Sequence, residues 1–527
     1  MNPTATRAAA AVPKLANPGG HPWWTLASVA LGVFMVGLDG SVVVIANPKI
    51  AADLHASLSN LQWITNAYLL ALATLLVLGG KLGDRFGRRL IFMVGVIGFA
   101  ATSVGIGLIG SVSGVIALRA LQGVFGALLM PNTLAILRAA FPANKLNAAI
   151  GIWGGASAVS VAAGPIIGGI LVEHVNWESV FYVNAPIAVI TVAFGLFAIR
   201  ESRSENRVET FDLPGTATLA VSLFMVVYGL VKAQEWGWTT GKTLAFIIGG
   251  AVLLGVFVII ELRSRNPLLP MRLFTNRSLS IGSVVVLVNF FAMFGVLFFL
   301  TLFLQSVQGF SPIEAGVRVV PLSVSLMVAA PVGGLITERI GPRAPMVAGL
   351  FAAAAAMALL TRLEPGSSYS TVWPALVLLG LGIGFVMTSS SDAIIGNADV
   401  DDAGIAGGLQ STALQLGGVM GTAILGSVMS QKVGAVLIGK LAGAGVPIPV
   451  AEHLLPAKEY VAQGVAPAVP GMPDLVQRAI VAGCHEAFMT GLHSALWVGM
   501  GVLIVGALFA SGVRRGENSG KSSVPVH

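Results

Sequence analysis

Runs of about 20 apolar residues recur along almost the whole chain, and no other feature constrains its fold so tightly. In hydrocarbon every backbone polar group needs an internal partner, so such a run crosses a bilayer as an α-helix. Composition agrees. The 527 residues are 55% hydrophobic and 10% charged, with a mean hydropathy of +0.87, whereas a water-soluble globular protein carries roughly 25% charged residues. The sequence is that of an all-α membrane protein.

The spans read at roughly 24–46, 61–80, 90–110, 114–137, 148–171 and 180–199, then 214–231 and 243–261, then 279–303, 314–337, 345–361, 371–395, 404–429 and 493–512. These fourteen helices divide into a six-helix bundle (24–199), a linker holding two inserted helices (200–278) and a second six-helix bundle (279–512). Polar tails at 1–23 and 513–527 flank them, and a Gly/Ala/Pro-rich external loop is expected at 430–492. Its end, "LVQRAIVAGCHEAFMTGLH", reads as an amphipathic helix on the outer surface. The first span is too long for the core of a secretory signal.

A formal charge of +7 does not indicate nucleic acid here, because the basic residues sit in short connections between apolar runs. With the N-terminus inside, cytoplasmic segments hold about twice as many Lys and Arg as external ones. Both termini therefore read as cytoplasmic, in the cell membrane. The connection at 396–403 departs from this pattern, with Asp399, Asp401 and Asp402 and no base. The single cysteine, Cys484, excludes an intrachain disulfide and a Cys-based metal cluster.

"GGKLGDRFGRR" (79–89) concentrates Lys81, Asp84, Arg85, Arg88 and Arg89 in what reads as a tight turn between the second and third helices. A fainter copy, "GGLITERIGPR", lies 254 residues on: Gly80 matches Gly334, Asp84 Glu338, Arg85 Arg339, Gly87 Gly341 and Arg89 Arg343. Internal repeats in a polytopic chain point to a transporter whose two bundles rock about a mid-membrane site. An acid at such a turn can accept from the backbone donors of a neighbouring helix N-terminus, while arginines pair with acids of other loops. Contacts made in one state only would latch the inward gate, giving a gate set of Gly80, Asp84, Arg85, Gly87, Arg88, Glu338 and Arg339. Positive-inside anchoring accounts for Arg88 and Arg89 without a latch.

"GKLGDRFGRRLIF" (80–92) is similar to the loop signature of the major facilitator superfamily, and "LRALQGVFGA" (118–127) resembles its fourth-helix motif. "GPIIGG" (164–169) looks like the fifth-helix signature of its proton-coupled exporters. With fourteen helices, "LDGSVVVIANP" (38–48), "WESVFYVNAPI" (177–187) and "AGIAGGLQSTALQLGG" (403–418), the chain resembles the fourteen-helix drug:proton antiporter family. It departs from that family's usual pattern at Ser41, Val44, Asn47, Ser160, Glu178 and Ser411. The resemblance implies two six-helix bundles, proton coupling through Arg119, and an exporter-type helix five.

Asp39 lies well inside the first helix. Removal from water favours the neutral form of an acid, so it can take and release a proton as access alternates, or it is a hydrogen-bonded structural acid. Arg119 keeps its proton and must be matched by an acid, carbonyls or water. Gly151, Gly164, Pro165, Gly168 and Gly169 make helix five thin and bendable, for exchange or for tight packing alone. Trp63, Asn66, Tyr68, Gln122, Asn132, Asn289 and Gln305 are candidates for a substrate cavity, Trp63 alternatively for the interfacial aromatic belt. Asp392 reads as a further gate or cavity acid or as a solvated helix-end residue.

There is no phosphate-binding GxxxxGK[ST] loop and no pair of histidines at metal-ligand spacing. The expectation is therefore a non-enzymatic, cofactor-free, monomeric exporter of amphipathic small molecules such as drugs, dyes or natural products, driven by the proton gradient. Two alternatives stay open at this level: a dedicated exporter of one endogenous metabolite, antibiotic or lipid, and a non-transporting membrane sensor or enzyme.

Overall fold

The computed structural model describes residues 21–203, 212–264, 267–398, 403–470 and 472–513. Among them the chain forms α1 (Pro22–Leu54), α2 (Leu58–Phe86), α3 (Arg88–Leu108), α4 (Val112–Ala140), α5 (Ala143–His174), α6 (Ser179–Ala198) and α7 (Leu213–Trp236). There follow α8 (Gly241–Arg263), α9 (Arg277–Leu302), α10 (Pro312–Ile340), α11 (Arg343–Leu360), α12 (Tyr369–Ile395), α13 (Ala403–Gly443) and α14 (Asp474–Ala510), and no strand is present among the described residues. Among the described residues thirteen helices are long and apolar enough to cross a membrane, and α5, bent by 41° after Val161, makes a fourteenth. The bend falls where Pro165 has no N–H for the carbonyl of residue 161.

Local chemistry sets the helix ends. Ser57, Asp212, Thr240 and Asn276 accept backbone N–H groups of the first turns of α2, α7, α8 and α9, and Ser311 with Glu314 forms a capping box on α10. The charged stretch at 79–89 is not an extended turn: helix runs through Phe86 and resumes at Arg88, leaving Gly87 (φ 123°) as the whole connection. Gly341 (φ 86°) takes the matching position between α10 and α11. The repeat is thus written in the backbone as well as in the sequence, because a positive φ suits glycine.

The first bundle packs α1 on α5 and α6, and α4 on α2 and α3; the second packs α12 on α10 and α11, and α9 on α13 and α14. Gly79 lets α2 press on the Ala127 backbone of α4. Gly333, its repeat mate, lets α10 approach α12 at Phe385 Cα, 3.1 Å from where a Cβ would stand. The halves meet through α5 on α10, α2 on α13 and α1 on α9. The inserted α7 and α8 pair with each other, and α7 leans on both α2 and α13. Only 17% of the apolar window of α8 is buried, so this helix lies outermost, in lipid.

Two expectations need correction. α1 does not stop near residue 46 but continues through Pro48 to Leu54. The loop expected at 430–492 is much shorter, since α13 runs to Gly443 and α14 starts at Asp474, with short helices Ile448–His453 and Lys458–Val461 between them. "LVQRAIVAGCHEAFMTGLH" is therefore the packed first half of α14, not a surface helix. Ile480, Cys484, Ala487 and Phe488 are buried, and Gly483 and Gly491 let α14 approach the α13 backbone at Leu441 and Met429. One apolar stripe explains both lengths: each extension exists because the other covers it.

Candidate functional site

Asp39 sits at mid-length of α1, fully buried, facing α4. Arg119 Nη1 donates to Asp39 Oδ2 at 2.5 Å and to Gln122 Oε1 at 2.6 Å, and Arg119 Nε donates to the Ile64 carbonyl at 3.0 Å. Gln122 Nε2 donates to Asp39 Oδ1 (2.9 Å) and to Ser103 Oγ (2.6 Å). Asn184 Nδ2 makes the same two contacts from α6, at 3.0 and 2.9 Å. The Arg119 guanidinium lies 4.2 Å from the Tyr68 ring centroid and 5.8 Å from that of Phe181.

Five helices thus close on one carboxylate. Both of its oxygens are satisfied, as a buried charge requires, and the cation is matched by an acid, an amide, a carbonyl and an aromatic face. Among the described residues, the buried Asp, Glu, Lys and Arg side chains are these two and Asp212 and Glu261 of the inserted helices. The second bundle has no equivalent among its described residues.

The sequence named Asp39, Arg119, Gln122 and Tyr68, and the structure brings them together. It did not name Asn184 or Ser103. Asn184 lies within the quoted "WESVFYVNAPI" stretch, where an amide at the start of an apolar span was its one, ambiguous signal. Ser103 in "FAATSVGIG" gives none.

The other candidates are placed as follows. Trp63 packs on Phe224 and Tyr228 of α7, at 5.8 and 5.6 Å between centroids. Asn66 Oδ1 accepts from Thr422 Oγ1 across the seam (2.7 Å), beside Gln62 Nε2 donating to the Thr422 carbonyl (2.9 Å). Gln305 Nε2 reaches the Ile45 carbonyl (3.0 Å), joining α9's end to α1. Trp63 Nε1, Asn66 Nδ2 and the Tyr68 hydroxyl are buried without a partner; of these Asn66 lies at the seam, while Tyr68 faces Arg119 and Phe99 inside the first bundle. Asn132 and Asn289 lie inside single bundles, where their side-chain N–H groups donate to the Gly79 and Ile383 carbonyls at 3.1 and 3.3 Å. Their side-chain oxygens, Asn132 Oδ1 and Asn289 Oδ1, are buried without a partner. Asp392 is half-buried near the end of α12.

In helix five, Gly164 meets Ser41 and a Gly168 Cβ would lie 2.7 Å from Val42 Cγ2, both on α1. Gly169 and Pro165 instead face α10, where Gly316 abuts the Pro165 carbonyl. Ser160, a departure from the usual pattern, is accommodated opposite Gly37. Gly151 is helical, with its surroundings outside the described residues, as are Asp399, Asp401, Asp402, Arg265 and most of the 200–212 linker.

At the charged connection, a Cβ on Gly80 would lie 3.5 Å from Pro131 Cβ. Asp84 takes Arg88 Nε and Nη2 at 2.9 and 2.8 Å. The acid that caps a helix is a different one. Glu201 accepts the backbone N–H groups of Arg89 (3.0 Å) and Leu90 (3.1 Å) at the start of α3, and a Gly87 Cβ would lie 2.5 Å from its Cδ. Arg88 N donates to the Ser202 carbonyl and Arg89 Nη2 to that of Leu196. Arg85 is exposed over the Phe86 ring, and Glu338 and Arg339 are exposed at the end of α10.

Two repeated helical bundles, the first holding the one buried ion pair among the described residues, define a polytopic membrane protein of the transporter type. The family model described as Major Facilitator Superfamily matches residues 29–422, and the chain belongs to that superfamily. It is 44% identical over 500 residues to the tetracenomycin C resistance and export protein of Streptomyces glaucescens, covering 94% of this chain and 93% of that one. It is 32% identical over 496 residues to multidrug resistance protein Stp of Mycobacterium tuberculosis, covering 93% and 91%. Among solved structures, a bacterial homologue of the human lysosomal transporter Spinster shares the fold with a TM-score of 0.61 at 18% identity, over 94% of this chain and 99% of that one.

Proposed function

We propose that the protein is a proton-coupled exporter of the bacterial cytoplasmic membrane, exchanging entering protons for an amphipathic small molecule such as a drug, dye or natural product. The observation that carries this reading is the sealed Asp39–Arg119 pair, in a chain that aligns nearly end to end with an export protein. A proton arriving on Asp39 Oδ2 takes the place of the Arg119 contact. Arg119 then keeps only the Gln122 amide and the Ile64 carbonyl. An unmatched guanidinium in an apolar core is costly, so protonation favours a bundle arrangement in which water or another acceptor reaches it. Because α1, α4 and α6 all converge on Asp39, the change moves helices and not one side chain.

In this reading α1–α6 and α9–α14 are the two rocking halves, α7 and α8 are an insertion, and the face at which α1 begins is cytoplasmic. The positive-inside pattern supports that orientation. Substrate meets the seam between the halves, where Asn66 of α2 offers an unused donor. No cofactor takes part, and one chain suffices.

Uptake into inverted vesicles under an imposed pH gradient, screened over a compound panel, tests the reading. Asp39→Asn is expected to abolish proton-driven uptake at unchanged expression; undiminished uptake refutes the assignment. The higher identity to a tetracenomycin C export protein favours a second reading, a dedicated exporter. Susceptibility profiling separates the two, since a dedicated exporter protects against one chemical class only.

A further inference from the structure

At the cytoplasmic end of the inserted helices lies a second buried acidic site that the Asp39 network does not use. Asp212 caps α7, with Oδ1 accepting the Gly215 N–H at 2.7 Å, and Glu261 sits in the last turn of α8, with Oε2 accepting the Leu269 N–H at 2.9 Å. The two side chains face each other across Gly215. A Cβ there would stand 2.5 Å from Glu261 Oε1 and 2.9 Å from Asp212 Oδ1. Asp212 is 8% and Glu261 3% exposed, and the remaining oxygens, Asp212 Oδ2 and Glu261 Oε1, have no hydrogen-bond partner. Among the described residues the nearby cation is Lys81 of α2, whose Nζ donates to the Pro267 carbonyl at 2.8 Å.

We propose that Asp212 and Glu261 form a second proton-binding site, a carboxyl pair that shares one proton on the cytoplasmic side and ties the inserted helices to α2 through Lys81. Two buried carboxylates facing one lysine leave one negative charge over. A single proton between them removes it and gives the orphaned oxygens a hydrogen bond. Among the described residues, Lys81, Asp212 and Glu261 are the charged groups that face one another there, contributed by α2, α7 and α8. The site has no repeat mate: Lys81 matches Leu335, which is 60% exposed, so the arrangement belongs to the half that touches the insertion. It sits in the same charged connection as the gate residues. Cytoplasmic proton supply therefore acts on that connection from the side, independently of Asp39.

The site rests on the exporter reading only for its sidedness, and its test does not need transport. Infrared difference spectra of the full-length protein in lipid vesicles would be recorded from about pH 5 to about pH 9, spanning the range in which buried acids titrate. Wild type minus Glu261→Gln, and wild type minus Asp212→Asn, should each show the carbonyl stretch of one protonated carboxylic acid. Both replacements keep the hydrogen-bond acceptors of the native caps. Lys81→Gln should move the loss of that band to higher pH, because a neighbouring positive charge favours the ionised pair. Absence of the band in wild type, or its survival in either acid replacement, overturns the proposal. Failure of wild-type vesicles to transport with the band intact overturns the exporter reading instead.

Discussion

Gly169 of α5 touches Ile313 of α10 backbone to backbone: a Cβ on the glycine would lie 2.7 Å from the Ile313 Cα and equally close to the Pro312 carbonyl. Glu173, one turn further along α5, accepts the Ile313 N–H at 3.0 Å. The two halves are thus closed on the side away from the N-terminus by main-chain contact, which tolerates no added atom.

Gly169→Val is accordingly expected to hold that side open. Efflux should fall by about tenfold or more, the equivalent of roughly 1.4 kcal/mol in the closing equilibrium. A cysteine replacing Ile45 should become reactive to an impermeant thiol reagent applied from that side. Unchanged labelling would show that α5 and α10 do not form the closure.

For the buried ion pair, stability and coupling should separate. Asp39→Leu leaves Arg119 unmatched and is expected to destabilise the protein by about 3–5 kcal/mol. Asp39→Leu with Arg119→Leu should recover most of that loss, since an apolar replacement of both partners is often neutral. Neither variant should couple uptake to protons. Thermal unfolding in detergent and vesicle uptake read the two effects.

Glu201 should behave as a cap and not as a remote charge. Glu201→Ala exposes two donors at the start of α3 and is expected to cost about 1 kcal/mol, with Glu201→Gln retaining part of it. Gly87→Ala should be worse than either, because φ 123° disfavours a side chain and its Cβ strikes the same carboxylate. The order of melting temperatures of the three variants checks this.

The paired extensions of α13 and α14 predict a labelling pattern. Leu475 is 80% exposed and Ile480 is fully buried, one and a half turns apart. Cysteines placed at the two positions in a Cys484→Ala background should differ sharply in reactivity, the first labelled and the second protected. Native Cys484, 1% exposed, should stay unlabelled in intact cells. Equal reactivity at both positions would restore the surface helix.

Most of this architecture was legible in the sequence because bilayer insertion leaves few choices: an apolar run of sufficient length is a helix. The repeat was legible for the same reason, since Gly87 and Gly341 answer one backbone requirement twice. The ends of α13 and α14 were not, because "LVQRAIVAGCHEAFMTGLH" is polar enough to read as surface until its partner helix is in place. Asp39, Arg119 and Gln122 stood out as polar residues in hydrocarbon. Asn184 did not, because a residue near a span's end carries the same signal whether it caps a helix or reaches a buried acid. The contacts of Asn132 and Asn289 were not legible either: their partners, the Gly79 and Ile383 carbonyls, are main-chain groups. Glu201 was missed because its partner is the main chain, which leaves no trace in residue type.

The lean of α7 on both α2 and α13 has a consequence for how greasy cargo arrives. Trp63, itself buried, packs there behind Phe224 and Tyr228, so that flank of the seam is filled by aromatic side chains with Phe224 on the outside. A compound dissolved in the acyl chains finds no sideways doorway on that flank. Between α5 and α10, on the opposite flank, a sideways path exists only once the Gly169–Ile313 contact has parted.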